Sequence, residues 1–252
     1  MQSYTRHQLK EDKFQEVTRD AIAQAAAHRQ QLTVGAIVVL IVVLLGGGYT
    51  YWRNQQEDQA STAMGEAMNT YSAPIRTPDA PVDPNQLSFA STSERDTKAQ
   101  QQFQGIADKY WHTRAGKNAL YMSAAVDLDA AKYSDAEAKF KRVADAADKN
   151  VAALAKLGLA SVYRATNRDQ DAINIYNDLS KKPTESVSRD QAQLSLAELY
   201  ERKDPSQAKK IYDELASGKS PAVAELARQR QTAMGVTPTN KAQGLLPANK
   251  PQ

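Results

Sequence analysis

The side chains that could support catalysis are few and scattered along this chain. The three histidines, His7, His28 and His112, lie in separate regions, and none belongs to an H-E-x-x-H or similar metal-binding pair. Cysteine is absent, which excludes thiolate chemistry and a disulfide framework. No G-x-S-x-G sequence marks a serine nucleophile. We therefore expect no catalytic residue and no bound metal.

Two further patterns match functional motifs only in part. Residues 218–220, Gly-Lys-Ser, could end a phosphate-binding loop, but that loop needs another glycine where the chain has Asp213. The carboxylates stand beside cations at helical ion-pair spacing, as in Asp135, Glu137, Lys139 and Lys141, which is typical of a solvated helix face. We expect no cofactor, no small-molecule substrate and no enzymatic activity.

The overall charge does not favour a nucleic-acid partner. The formal net charge is +3, and the cations are interspersed with carboxylates throughout. No block of about five or more lysines and arginines forms a basic patch. The chain is therefore expected to expose a mixed, solvated surface.

Helical repeats are the elements that must position any functional side chain. A small residue, an aromatic residue four positions later and an aliphatic residue three positions after that recur at a step of 36. The copies are Ala136, Phe140, Val143; Ala172, Tyr176, Leu179; and Ala208, Tyr212, Leu215, with Ala99, Phe103 and Ile106 as a further copy at a step of 37. The pattern predicts an all-α fold, a solenoid of helical hairpins, whose concave surface typically binds another protein.

Capping residues predict where several helices begin. Ser134 and Glu137 are spaced as a capping box, in which each side chain bonds a free backbone amide of the first turn. Asp204 precedes Pro205, which is favoured at the first helical position. Gly235 is expected to end the last helix.

An apolar segment without charges covers residues 32–52. As a helix rising about 1.5 Å per residue, it spans roughly the hydrocarbon thickness of a bilayer. Arg29, Tyr49, Tyr51, Trp52 and Arg53 lie at its ends, where aromatic and cationic side chains favour the membrane interface. The alternatives are a cleaved signal peptide and a buried soluble helix. The long polar segment before the run favours an uncleaved anchor.

The cations that flank this segment predict its orientation. Lys13, Arg19 and Arg29 precede it, whereas only Arg53 follows within a similar distance. Because positive charge favours the cytoplasmic side, we expect a cytoplasmic N-terminus and a repeat domain outside.

The expected domain organisation follows from these segments. It comprises a cytoplasmic N-terminal segment (1–31), a transmembrane helix (32–52), a first outside helix with a Pro-rich loop (53–95), a repeat domain (96–235) and a disordered tail (236–252).

The central repeats resemble tetratricopeptide repeats. The stretch 157–163, Leu-Gly-Leu-Ala-Ser-Val-Tyr, followed by Ala172 and Tyr176, carries the small and aromatic residues of that pattern. The stretch 196–200 with Ala208 and Tyr212 is similar, although its turn is one residue shorter. The preceding repeat departs, since Asp127 stands where the pattern has tyrosine.

The whole layout is similar to the bacterial ancillary SecYEG translocon subunit family over roughly residues 14–235. That resemblance implies a single-pass protein of the bacterial inner membrane with a periplasmic repeat domain. It implies a SecYEG-type translocon and periplasmic chaperones as partners, with the chain linking emerging envelope proteins to those chaperones. The alternative is an envelope scaffold for cell division, envelope assembly or appendage export.

The expected partner surface lies on the first helix of each pair, which lines the concave side in tetratricopeptide arrays. Counting from the central small residues, we expect this surface to contain Tyr121, Leu128, Leu157, Ser161, Arg164, Leu194, Glu198 and Glu201. The alternative is that some of the apolar residues belong to the core, because a one-residue change of register exchanges groove and interior.

Overall fold

The structure, a computed structural model, describes residues 29–77 and 87–235, and these residues form nine α-helices and no named strand. The helices are α1 (Arg29–Tyr71), α2 (Thr92–Tyr110), α3 (Arg114–Asp129), α4 (Tyr133–Ala144), α5 (Lys149–Ala165), α6 (Asp169–Lys181), α7 (Arg189–Lys203), α8 (Pro205–Ala216) and α9 (Pro221–Ala233). The chain divides into two units, Met1–Gln56 and Glu57–Gln252. The expectations for residues 1–28, 78–86 and 236–252 lie outside the described residues.

The unit before Glu57 contains the apolar part of α1. Its large apolar side chains, from Val34 to Leu45, are about half to two thirds exposed. The apolar window has a mean hydropathy of 2.2 and is 0% buried within the structure. By length and composition this helix can cross a membrane, and its exposure argues against a core helix.

The second unit is an array of helical hairpins. We call the part of α1 after Gln56, α3, α5, α7 and α9 the first helices, and α2, α4, α6 and α8 the second helices. From α2 to α9, each helix packs on the next along the chain, and α3 also contacts α5 while α7 contacts α9. These contacts bring the first helices of neighbouring hairpins together, α3 with α5 and α7 with α9.

The repeated triplets form the core of this array. All twelve triplet residues from Ala99 to Leu215 are buried, and the most exposed, Ile106, retains only 7% of its accessible surface. Ala60 and Ala67 of α1 are buried in the same cluster as Phe103. The all-α, hairpin-solenoid fold expected from the step of 36 is confirmed.

The same step appears in the backbone between first and second helices. Ala131 and Asn167 both have positive φ, of 57° and 59°. After each of them the next amide bonds back to a carbonyl five residues earlier, Lys132 to Asp127 at 2.8 Å and Arg168 to Tyr163 at 2.7 Å. This is the Schellman arrangement, which satisfies carbonyls that a helix end leaves free.

One helix start differs from the expectation. The capping box of Ser134 and Glu137 is wrong, because α4 begins at Tyr133 and no side chain caps it. The Glu137 carboxylate instead pairs with Lys141 and with Arg168 of the next repeat.

The helix of the first triplet begins with a capping box that the sequence analysis did not single out. Ser91 accepts from the Glu94 amide at 3.1 Å, and the Glu94 carboxylate accepts from the Ala90 amide at 3.0 Å. These reciprocal bonds start α2 at Thr92. Asp204 caps α8 as expected, with Pro205 at the first turn.

A glycine in α5 allows a close approach between two repeats. A Cβ at Gly158 would lie 2.4 Å from Cε1 of Phe140, far inside van der Waals contact. The ring of the second helix therefore occupies the space that any side chain at position 158 would need.

This contact predicts opposite effects for two glycine substitutions. Gly158→Ala should lower the free energy of unfolding, because repacking of the Phe140 ring costs about 1–3 kcal/mol and outweighs the helix-propensity gain of about 1 kcal/mol. Gly105→Ala is the matched control, since Gly105 lies within α2 and a Cβ there meets nothing within 4 Å. It should stabilise the chain by about 1 kcal/mol. Denaturant titration of both variants is the measurement, and a stabilised Gly158→Ala variant would contradict the packing.

Candidate functional site

All eight residues of the expected partner surface are half-buried, neither fully in the core nor fully in solvent. The apolar ones lie at the edge of the core. The Tyr121 ring meets Phe140 edge-on at 5.6 Å between centroids, and burial raises the pKa of its hydroxyl. Leu157 packs against two clusters, and Leu128 and Leu194 pack against one cluster each. Each of these side chains thus serves packing and still presents part of its surface.

Two charged residues of this surface act on buried tyrosines. The Tyr212 hydroxyl donates to Glu201 Oε1 at 2.6 Å, and both burial and this carboxylate raise the pKa of Tyr212. Burial also raises the pKa of Tyr176, while a hydrogen bond from Arg164 acts in the opposite direction. Each tyrosine belongs to a repeated triplet, and its partner lies on the preceding first helix.

The equivalent position on the preceding first helix is apolar, because the aromatic ring that it accompanies has no hydroxyl. Leu128 stands 12 residues before Phe140, as Arg164 stands 12 residues before Tyr176. Phenylalanine has no hydroxyl, and its counterpart Leu128 packs with the apolar cluster that contains Phe140. A polar residue at this position therefore accompanies a tyrosine, because a buried hydroxyl without a partner is costly.

Charges from two neighbouring first helices lie close together. Arg230 of α9 donates to Glu198 of α7 at 3.1 Å between Nη2 and Oε1. Burial is the main cause of the raised pKa of Tyr176 and of Tyr212, and the Glu198 carboxylate raises both further. Ser161 donates to the Leu157 carbonyl at 3.2 Å. The surface therefore combines half-buried apolar groups with charges of both signs.

A buried polar cluster replaces the tyrosine that the second hairpin lacks. Asp127 is only 2% exposed and pairs with Lys139 of α4. The Lys139 ammonium also donates to Ser123 Oγ at 2.9 Å, and Ser123 Oγ donates to Gln104 at 3.3 Å. A lysine from the neighbouring helix thus satisfies the carboxylate where the repeat departs from its pattern.

Ion pairs also connect the turns of successive repeats. Glu137 pairs with Arg168, whose guanidinium lies 4.2 Å from the centroid of the Tyr163 ring. The Arg168 and Lys141 cations lower the pKa of the Glu137 carboxyl. One repeat further on, Asp169 pairs with Lys203 at 3.1 Å.

The expected membrane-interface residues lie on α1. Tyr49, Tyr51, Trp52 and Arg53 are exposed, and the rings of Tyr49 and Trp52 lie 6.2 Å apart. The side chain of Arg29 lies outside the described part of the structure.

Sequence reasoning missed Arg230, Asp127 and Lys139 as parts of these networks. Arg230 belongs to the terminal helix, which carries no copy of the triplet, so periodicity gave no signal. Asp127 stood out in the sequence as a departure from the repeat pattern. Its partner Lys139 follows 12 residues later, on the next helix of the same hairpin. Among the described residues, no group of three or more histidine or acidic side chains could hold a metal ion.

The fold and this surface define a helical-repeat protein of the kind that binds other proteins. The tetratricopeptide repeat-like domain family matches residues 25–178, more than half of the chain, and the chain therefore belongs to this family. No curated protein and no solved structure matches the chain.

The pairing of Glu201 with Tyr212 predicts a specific pattern of coupling. Glu201→Leu should lower the free energy of unfolding by about 1–3 kcal/mol, because it leaves a buried hydroxyl without its acceptor. The double variant with Tyr212→Phe recreates the combination of Leu128 and Phe140, so most of this loss should be recovered.

Denaturant unfolding of the two single variants and the double variant measures the coupling. Glu214→Leu on the exposed face of α8 is the matched control and should show none. Equal effects of Glu201→Leu with tyrosine or phenylalanine at position 212 would contradict the assigned hydrogen bond.

Proposed function

We propose that this protein is a membrane-anchored protein-interaction scaffold, an ancillary subunit of the Sec translocon that links emerging envelope proteins to periplasmic chaperones. The observation that carries the proposal is the joining of an apolar helix and a tetratricopeptide-like array in one chain. The family match begins at residue 25, before the apolar part of α1, and so includes both parts. This layout is the one that resembles the ancillary translocon subunits.

Anchoring is supported by the exposure of the apolar segment and by its boundary residues. The large apolar side chains that lie between positions 34 and 45 and are described by the structure are exposed, and water solvates such groups poorly. Tyr49, Tyr51 and Trp52 follow, where an interfacial aromatic belt is expected. The resemblance to ancillary translocon subunits implies the bacterial inner membrane, and the cation bias favours an N-terminus in the cytoplasm with the array in the periplasm.

The concave surface suits an extended polypeptide better than a small molecule. Its half-buried apolar groups are spaced along several first helices, and its charges of both signs alternate with them. Emerging chains vary in sequence, and a mixed surface of this kind can contact many of them weakly. Repeat domains of this type typically act as scaffolds, and we assign no catalytic step to this one.

The second candidate is an envelope scaffold for cell division, envelope assembly or appendage export. It shares the anchor and the array, and it differs only in the identity of the partner. Partner identification is therefore the decisive measurement.

The orientation predicts the result of protease protection. Protease added to intact spheroplasts should remove the region after Arg53 and leave the segment up to Arg29 protected. An antibody against each end of the chain, followed on blots, is the measurement. Lysed spheroplasts provide the control, in which both ends should be digested. Protection of the array in intact spheroplasts would reverse the assigned topology.

Site-specific crosslinking in native membranes tests the partner. A photoreactive residue at Ser161, on the concave side, should give adducts with a translocon channel subunit or a periplasmic chaperone. The same residue at Asn174, which is exposed on α6, is the matched control and should give few. Adducts with division, assembly or export proteins would favour the second candidate. Adducts from Asn174 alone would place the partner away from the concave surface.

A further inference from the structure

A pocket of about 370 Å³ lies between two successive repeats, away from the expected partner surface. It is formed by the end of α4, the beginning of α5 and the end of α6, and none of the eight concave residues lines it. Its apolar lining consists of small or short side chains, namely Ala144, Ala146, Ala152, Ala153, Leu179 and Pro183. Small residues leave the space between the helices unfilled.

The walls of this pocket are held by buried and hydrogen-bonded residues. Val187 is fully buried and packs with Ala153 and Leu179. The Thr184 amide donates to the Val187 carbonyl at 2.9 Å, and the Val187 amide donates to Thr184 Oγ1 at 3.1 Å. The loop that borders the pocket is therefore fixed in place, and the pocket is preformed.

Three lysines surround this apolar floor. Lys156 and Lys182 both bind the carboxylate of Asp178, at 2.8 Å and 2.9 Å, and Lys149 is exposed at the first position of α5. An ammonium group has three N–H donors, so each paired lysine keeps two donors for another acceptor. With three lysines against one aspartate, the lining is net positive. Asp178 thus holds two ammonium groups side by side and leaves N–H donors of both free to bind another acceptor.

We propose that this pocket binds an acidic segment of a partner polypeptide, with a carboxylate among the lysines and a neighbouring apolar side chain on the alanine floor. The volume lies near the lower end of the range of about 300–1,000 Å³ that ligand pockets cover. The lining offers no aromatic ring on which a nucleobase could stack. The assignment of the carboxylate to a polypeptide rests on the proposed function. The charge and shape of the pocket are independent of that proposal.

Peptide binding to the full chain, purified in detergent, tests the proposal. The probe is a short fluorescein-labelled peptide with one glutamate between two leucines, and its twin has glutamine instead. Fluorescence anisotropy should show tighter binding of the glutamate peptide by about fivefold, the order that a partly exposed ion pair contributes. Equal affinity for the two peptides would overturn the proposal.

Two variants locate the binding. Lys149→Glu reverses an exposed charge at the rim, and Ala146→Leu fills the pocket from a half-exposed position, so neither replaces a buried core residue. Both should abolish the preference for the glutamate peptide while thermal melting stays unchanged. Lys219→Glu, in an exposed loop two helices further on, makes the same change of net charge and should keep the preference. Loss of the preference in Lys219→Glu, or its survival in Ala146→Leu, would show that the pocket is not the site.

This experiment separates the pocket from the proposed function. If the chain prefers the glutamate peptide but gives no translocon or chaperone adducts in native membranes, the pocket proposal stands and the proposed function is contradicted. If the chain gives those adducts but binds the two peptides equally, only the pocket proposal is contradicted.

Discussion

The array depends on one steric constraint, which is the insertion of an aromatic ring between consecutive first helices. Phe140 approaches α5 so closely that position 158 has no room for a Cβ. Tyr176 and Tyr212 are equally buried in their clusters, next to alanines of the first helices. Large rings on second helices thus require small residues on first helices, and this pairing fixes the distance and register between hairpins. The aromatic residue of each repeated triplet reflects this requirement in the sequence.

The same constraint determines part of the chemistry of the expected partner surface. A buried tyrosine brings a hydroxyl into the core, and that hydroxyl must find a partner. Glu201 provides it for Tyr212 from the preceding first helix, and Arg164, at the equivalent place beside Tyr176, acts to lower the pKa of that tyrosine. Where the ring is Phe140, the equivalent residue is Leu128 and the surface becomes apolar. The alternation of charged and apolar groups along the groove is therefore a consequence of which rings carry a hydroxyl.

Periodicity predicted the fold well because the packing itself is periodic. The four triplets, the first helices around them and the shorter turn before Pro205 could all be derived from spacing. The interactions that break the period could not. Glu137 was expected in a local capping box, but Arg168, 31 residues later, competes for its carboxylate. Pairing of Asp127 with Lys139 and of Glu198 with Arg230 depends on side-chain reach across helices. Whether Leu157 or Leu194 faces the groove or the core is a matter of partial exposure, and sequence spacing does not resolve it.

The mixed character of the concave side has a consequence for affinity. Half-buried apolar groups and charges already paired within the protein offer a partner only modest new contact energy. A scaffold with such a surface gains most from being held near its partners, because confinement raises the effective concentration without any added contact. If the apolar helix anchors the chain as proposed, weak contacts at the concave side and at the pocket between α4, α5 and α6 would add along one polypeptide. Contacts that are weak, multiple and confined to the membrane release a bound chain readily, and the proposed transfer of emerging proteins to chaperones would require that property.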